Sequence, residues 1–209
     1  MGKRFEYDEI AEDVFGPIFD IIADDIIGKT RITTGTLLDI GCGGGHMSYA
    51  LIRKGNYAHI HLLDINQYAL DAARERAIAL GYSSKISFTL GNVEDIPFKD
   101  NLFDLVISRG SMPFWDNQIR AFSEIYRVLR PEGQAYIGGG FGNREQRDRI
   151  NRIFANNDRG FKPFDKKRSK TLPDEDYEEL FKKWDCEHEI INDTDKGHWF
   201  VFKKAQNDR

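Results

Sequence analysis

One stretch constrains this chain more than any other: Leu37-Leu38-Asp39-Ile40-Gly41-Cys42-Gly43-Gly44-Gly45-His46. Thr36 to Ile40 is a short apolar run that stops in glycines, which reads as a buried strand, a tight turn and then a helix from His46 to Arg53. Glycines at 41, 43 and 45 let the backbone swing sharply from strand into helix, and they leave no Cβ to keep a ligand away. A purely structural turn is the plainer alternative. Three alternate glycines directly behind an apolar strand favour a ligand.

The kind of ligand follows from the spacing. A dinucleotide fingerprint, G-x-G-x-x-G, requires glycine where His46 stands, and the spare glycine falls at 45, so that reading is demoted. Gly28-Lys29-Thr30 mimics the end of a phosphate loop. Ala23 occupies the place of its first glycine, and the segment follows a helix rather than a strand, so we reject it. A second strand, His59 to Leu63, closes on Asp64, about 20 residues beyond the loop, where an acid can accept hydrogen bonds from both ribose hydroxyls. Alone, Asp64 would be a solvated strand end; beside the glycine loop it points to a nucleoside.

Strand and helix patterns then alternate. Phe15, Ile18, Phe19, Ile22 and Ile26 share a helical face in the segment from Tyr7 to Ile27, which Gly16-Pro17 divides in two. Asn66 and Asn143 are expected N-caps, and Gly81 a C-terminal stop. Ile86 to Leu90 and Leu102 to Ser108 read as the third and fourth strands. Gln118 to Leu129 reads as a helix, and Arg130-Pro131-Glu132-Gly133 as a turn into a fifth strand, Gln134 to Ile137. This order calls for a parallel sheet covered on both faces. After a basic loop, Asn156 to Lys170, a helix from Asp174 to Trp184 leads to two last strands, Cys186 to Ile191 and His198 to Lys203. Their connector, Asn192 to Gly197, is too short for a right-handed crossover, so they must be antiparallel neighbours.

At 209 residues, 40% hydrophobic and 31% charged, the chain suits one globular domain, 1–209. No apolar stretch approaches the ~20 residues that span a bilayer, and the charged N-terminus lacks the core of a signal peptide. Cys42 and Cys186 are too few for a disulfide framework and too isolated for a metal site, so no metal is expected and cytoplasm is the default compartment. A net charge of −4 argues against nucleic acid, which needs many Lys and Arg to neutralise phosphates. Oligomeric state is not encoded in any pattern.

Asp39-x-Gly41-x-Gly43-x-Gly45 resembles motif I of the class I methyltransferases that depend on S-adenosyl-L-methionine, and Asp64 resembles their ribose-binding acid. Gly91-Asn92-Val93-Glu94-Asp95-Ile96-Pro97-Phe98 is similar to their third motif. Phe103 to Ser108 resembles their fourth strand, and Glu124 to Gly133 the helix and turn before the fifth. The resemblance runs in order from about residue 35 to 140. It implies a three-layer Rossmann-like α/β fold, with a seven-stranded, mostly parallel sheet and an antiparallel last strand. It further implies N-terminal helices over 1–34, a cofactor core over 35–140, and an acceptor-side insertion with the terminal strand pair over 141–209.

Carried over residue by residue, the resemblance implies that Asp39 orients the loop and helps hold the methionine part of S-adenosyl-L-methionine. Gly43 and Gly45 belong to the bare loop, and the backbone of Gly41 and Ser108 meets the cofactor's amino group. Asp64 takes the ribose and Ile65 packs on adenine. Asn92 accepts from the adenine amino group, and the Val93 amide donates to the ring. The family often has Asp at position 92; Asn keeps the carbonyl acceptor. The product is S-adenosyl-L-homocysteine.

The acceptor pocket in such folds forms at the carboxyl ends of the strands. Its candidates are Arg109, Ser111, Phe114 and Trp115 after strand four, and Phe141 within the glycine cluster Gly138 to Gly142. Arg109 reads equally as an anion binder or a surface ion-pair partner, and Phe114 and Trp115 as stacking or core-capping rings. Ser111-Met112-Pro113-Phe114 is weakly similar to the four-residue motif of amino-group methyltransferases. His46, His198 and Trp199 read as packing residues, and Tyr7 with the first helix as a lid or a plain packing helix. Lys166, Lys167, Arg168 and Lys170 read as solvated surface rather than an anion-binding flap. No catalytic signature is required: the sulfonium activates its own methyl group, and a base is needed only for an acceptor that carries a proton. A small-molecule acceptor is expected; RNA or protein methylation and a non-catalytic cofactor-binding protein are the alternatives.

Overall fold

The computed structural model describes residues 6–156 and 172–206. The side chain of Tyr7 and the basic loop with Lys166, Lys167, Arg168 and Lys170 lie outside the described residues. The framework is set by strands whose two faces are both apolar. In β1 (Thr34–Ile40), Leu37 faces one core and Leu38 and Ile40 face the other, as the two-residue pleat demands. Around it stand β2 (Asn56–Asp64), β3 (Ile86–Leu90), β4 (Phe103–Arg109) and β5 (Leu129–Gly139), followed by β6 (Glu187–Asp193) and β7 (Gly197–Lys203). The sheet order is β3-β2-β1-β4-β5-β7-β6. Every pairing from β3 to β5 is parallel, and β7 runs antiparallel to both of its neighbours, so six strands share one direction.

Among the described residues seven helices cover the faces: α1 (Glu6–Asp13), α2 (Gly16–Thr30), α3 (His46–Lys54), α4 (Gln67–Ala79), α5 (Gln118–Val128), α6 (Arg144–Ala155) and α7 (Asp174–Trp184). One core gathers Ile18, Ile22 and Ile26 of α2, Tyr49 and Leu51 of α3, and Leu70, Ala73 and Ala77 of α4. The other gathers Phe122 and Ile125 of α5 with Tyr177 and Phe181 of α7, against Phe200 and Phe202 of β7. Asn66 and Asn143 cap their helices by accepting from Tyr68 N and Gln146 N, as expected, and Asn117 caps α5 in the same way. Among the described residues no helix is long and apolar enough to cross a membrane.

One local reading needs correction. The strand β5 starts at Leu129, not Gln134: Leu129 already pairs with Phe103, and Gln134 with Leu105. The expected turn Arg130–Gly133 is therefore an excursion inside the strand, and Glu132 carries its left-handed backbone (φ 68°). After β4, Met112–Phe114 forms a single 3-10 turn with Pro113 inside it. The consequence that matters is the reversal of strand order between β1 and β4. In a doubly wound sheet that reversal opens a crevice beyond the carboxyl ends of the strands.

Candidate active site

The glycine loop lies in this crevice, and its shape is fixed from the neighbouring strand. Gly41, Gly43 and Gly45 all adopt left-handed backbone, at φ of 62°, 54° and 78°. The amides of Gly41 and Cys42 donate to Leu63 O at 2.8 and 3.2 Å, which ties the loop to the end of β2. Asp64 completes the tie. Its Oδ2 accepts from Gly43 N and its Oδ1 from Asn66 N, both at 2.9 Å. A carboxylate offers about four lone-pair sites, so both oxygens keep room for a further donor. A Cβ at Gly41 would sit 2.3 Å from Ser111 Cβ, so the loop can approach the β4 side only as bare backbone.

Around this loop is a cavity of about 430 Å³. Of the residues expected to hold the cofactor, Asp39, Gly41, Gly43, Asp64, Ile65, Asn92 and Val93 border it; of the acceptor candidates, Arg109, Ser111, Phe114 and Trp115 do. Gly45, Ser108 and Phe141 do not. A Cβ at Gly45 would meet the Tyr49 ring at 2.7 Å, so that glycine makes room for helix packing. Ser108 lies one layer deeper, its hydroxyl 2.6 Å from that of Ser111. Phe141 stacks on Phe15 in the core, with ring centroids 6.4 Å apart. Most of the glycine cluster is likewise structural. Cβ atoms at Gly138 and Gly140 would strike the carbonyls of His198 and Lys196 at 2.1 and 1.9 Å, so β5 and β7 can converge there only through glycine.

Ala11, Phe19, Met47 and Leu63 also line the wall and were not read as site residues in the sequence. Phe19 was legible only as a core position on α2. His46, expected only to pack, also borders the cavity: its Nε2 lies 2.9 Å from Asp8 Oδ1, and Phe19 stacks on its ring at 5.2 Å. Arg76 joins the same group, donating to Asp8 Oδ2 at 2.9 Å and to Gly44 O at 2.6 Å. Burial works against the Asp8 charge, but the hydrogen bonds from His46 and Arg76 outweigh it and hold the carboxyl at about 2.

Asp39 and Asp64 are the two acids of the cavity beside the glycine loop. Asp39 is only 1% exposed, and burial pushes its carboxyl up to about 7. The hydroxyl of Ser48, donating at 2.7 Å, opposes that rise and the nearby Asp64 adds to it. Asp64 is raised by burial too, against the amides of Asn66, Gly43 and Ile65. Such a site suits a ligand that brings positive charge to Asp39 and hydroxyl donors to Asp64, and lays a flat apolar part against Ile65 and Val93. S-adenosyl-L-methionine has all three, and the bare loop leaves space for it.

Sheet order, switch-point crevice and acid-braced glycine turn together define a nucleoside-binding protein of the Rossmann-like methyltransferase architecture. A model of the methyltransferase domain matches residues 38–137. A crystal structure from Methanococcus maripaludis, designated an S-adenosyl-L-methionine-dependent methyltransferase, is 37% identical, with a TM-score of 0.83 over 96% of this chain and 91% of that one. The biotin biosynthesis bifunctional protein BioHC of Teredinibacter turnerae is 34% identical over 133 residues, 61% of this chain and 23% of that protein. The ubiquinone/menaquinone biosynthesis C-methyltransferase UbiE of Brucella canis is 38% identical over 103 residues, 47% of this chain and 37% of that protein. This chain thus spans well under half the length of these two curated relatives. It belongs to the class I methyltransferases, whose cofactor is S-adenosyl-L-methionine.

Proposed function

We propose that the chain transfers the methyl group of S-adenosyl-L-methionine to a small-molecule acceptor. The observation that carries this reading is the double hold of Asp64 on Gly43 and Asn66, which presets both the glycine turn and the acid that faces a ribose. In this reading Asp64 takes the ribose hydroxyls, and Ile65 and Val93 sandwich the adenine edge. The Val93 amide donates to the ring. Asn92 Oδ1 already accepts from Glu94 N at 2.9 Å and offers its second lone pair to the adenine amino group. Asp39 faces the amino acid end, beside the backbone of Gly41 and with Ser108 behind it.

The sulfonium supplies an activated methyl group when bound. The chain's own contribution is alignment, an effect worth up to roughly 7–11 kcal/mol. Arg109, Ser111, Phe114 and Trp115 stand where an acceptor must enter. Arg109 is held in place, its guanidinium 4.8 Å over the Phe15 ring and Nη2 donating to Gly140 O at 3.2 Å. Trp115 is fixed by its Nε1 donating to Ser111 Oγ at 3.2 Å. A small acceptor is favoured by the acidic charge balance and by the names of the two curated relatives, both of which refer to small-molecule biosynthesis. The buried thiols of Cys42 and Cys186 favour a reducing, cytoplasmic setting.

The test is incubation of the purified chain with methyl-labelled S-adenosyl-L-methionine and a cell extract separated into metabolite, RNA and protein fractions. Label should enter the metabolite fraction, in proportion to the chain added. Label confined to RNA or protein, or tight cofactor binding with no labelled product at all, contradicts the proposal.

A further inference from the structure

The segment from Ser111 to Asn117 is strung between the two loops expected to face the cofactor. At one end Ser111 Oγ donates to Ile40 O at 3.3 Å, where β1 runs into the glycine turn. At the other end stands Glu94, in the turn that carries Asn92 and Val93. A single oxygen of its carboxylate, Oε1, accepts from the amides of Asp116 and Asn117 at 2.7 and 2.9 Å. Between these ties lie the 3-10 turn Met112–Phe114 and the buried ring of Trp115, whose Nε1 donates back to Ser111 Oγ. Glu94, Ser111, Phe114, Trp115 and Asp116 all border the cavity.

Capping of α5 does not account for Glu94. That helix has its own cap, Asn117 Oδ1 accepting from Arg120 N at 2.9 Å. The two amides that Glu94 takes lie ahead of Gln118, the first helical residue, so what it holds is the end of the cavity wall. Its own backbone is fixed in turn. Glu94 N donates to Asn92 Oδ1 and Glu94 O accepts from Arg120 Nε, both at 2.9 Å. Two residues on, Ile96 N donates to Glu124 Oε2 of α5, also at 2.9 Å. The turn with Asn92 and Val93, the start of α5 and the end of the wall thus form one hydrogen-bonded body. Bonds to a carboxylate are roughly twice as strong as neutral ones, which makes Glu94 its firmest link to the wall. A ligand that fixes one part of such a body restricts the rest, and the coupling acts equally in both directions.

We propose that Glu94 is a positioning residue through which a filled adenine subsite sets the wall from Ser111 to Asn117, so that this wall takes its working shape once the nucleoside is bound. The proposal rests on the methyltransferase reading above. Glu94 acts at one remove: its bonds to Asp116 and Asn117 place Trp115 and, through the 3-10 turn, Phe114. An acceptor then meets an ordered wall only beside a bound cofactor. By reciprocity, the nucleoside is held more tightly while the bonds of Glu94 are intact.

The test uses adenosine, which has the base and ribose but no methionine part to touch the glycine turn. The chain has three tryptophans, and in protein carrying fluorotryptophan the Trp115 fluorine signal is the one lost in Trp115→Phe. Saturating adenosine should shift that signal in the unmodified chain and in Glu94→Gln, whose side-chain carbonyl still accepts from both amides. In Glu94→Ala the shift should vanish, and calorimetry should show adenosine bound at least about fivefold more weakly. Adenosine should also slow hydrogen exchange at the Asp116 and Asn117 amides of the unmodified chain, a readout that does not need Glu94→Ala to fold. A Trp115 shift that persists in Glu94→Ala arises from the adenine ring directly and overturns the proposal. So does exchange at the two amides that adenosine leaves unchanged, or an unmoved Trp115 signal in a chain that binds S-adenosyl-L-methionine. Absence of S-adenosyl-L-methionine binding by the unmodified chain overturns the reading beneath it.

Discussion

Asp39 shows how a single residue ties folding to ligand chemistry. An unfolded aspartate titrates near 3.8, whereas burial holds this one at about 7 in the folded chain. Across the interval between those values the folded chain keeps a proton that the unfolded chain has released. Asp39 therefore supports folding fully below about pH 4, and that support drains away as pH rises through about 7. The effect is on the order of a few kcal/mol. Asp39→Asn retains a carbonyl for Ser48 and cannot ionise. Urea midpoints measured from about pH 4 to about pH 8 should fall with pH in the unmodified chain and fall distinctly less in the variant. Parallel curves would show that burial of Asp39 is not the source. Asp39 and Asp64 were both legible in the sequence, the first because it sits in an apolar strand just before the glycines, the second because it closes the next apolar strand. Gly45 was not, since a glycine that spares room for Tyr49 looks the same in a sequence as one that spares room for a ligand.

At the scale of elements, the unexpected contact is between α1 and the glycine loop. Asp8 joins His46 at the start of α3 and Arg76 on α4, partners 38 and 68 residues away, and Arg76 also holds Gly44 O. A Cβ at Gly44 would fall 1.8 Å from Asp8 Oδ1, so this glycine of the loop makes room for the clamp. Ala11, on the same helix, borders the cofactor cavity. We predict that Asp8→Ala frees α1 and speeds release of S-adenosyl-L-homocysteine about tenfold in stopped-flow displacement, as expected when a partly buried ion pair of 1–2 kcal/mol is lost. A lower melting temperature with an unchanged release rate would make α1 a plain packing helix instead of a lid. No spacing rule could reveal this clamp, because its members meet only after the sheet has formed. The same holds for β5: Leu129 reads as a helix end until Phe103 is seen beside it. Elements that depend on their own period, such as β1 and α2, were legible; those defined by a neighbour were not.

For the whole molecule, alternation of strand and helix was enough to anticipate the sheet, its two covered faces and the antiparallel end. Two apolar residues in succession, Leu37 and Leu38, already say that both faces of β1 are buried. What the pattern did not carry is which segments close the crevice, since Phe19 and Met47 reach it from helices whose apolar faces read simply as core. The central claim is that the folded chain presents a preset nucleoside site anchored by Asp64. Its most direct test is calorimetric titration of the intact chain and of Asp64→Ala with S-adenosyl-L-methionine, with circular dichroism to confirm that both are folded. We predict one-to-one binding by the unmodified chain and at least a roughly tenfold loss in the variant, from charge-assisted bonds of about 1.5–3 kcal/mol. No heat of binding to the unmodified chain, or equal affinity in the two proteins, would contradict it.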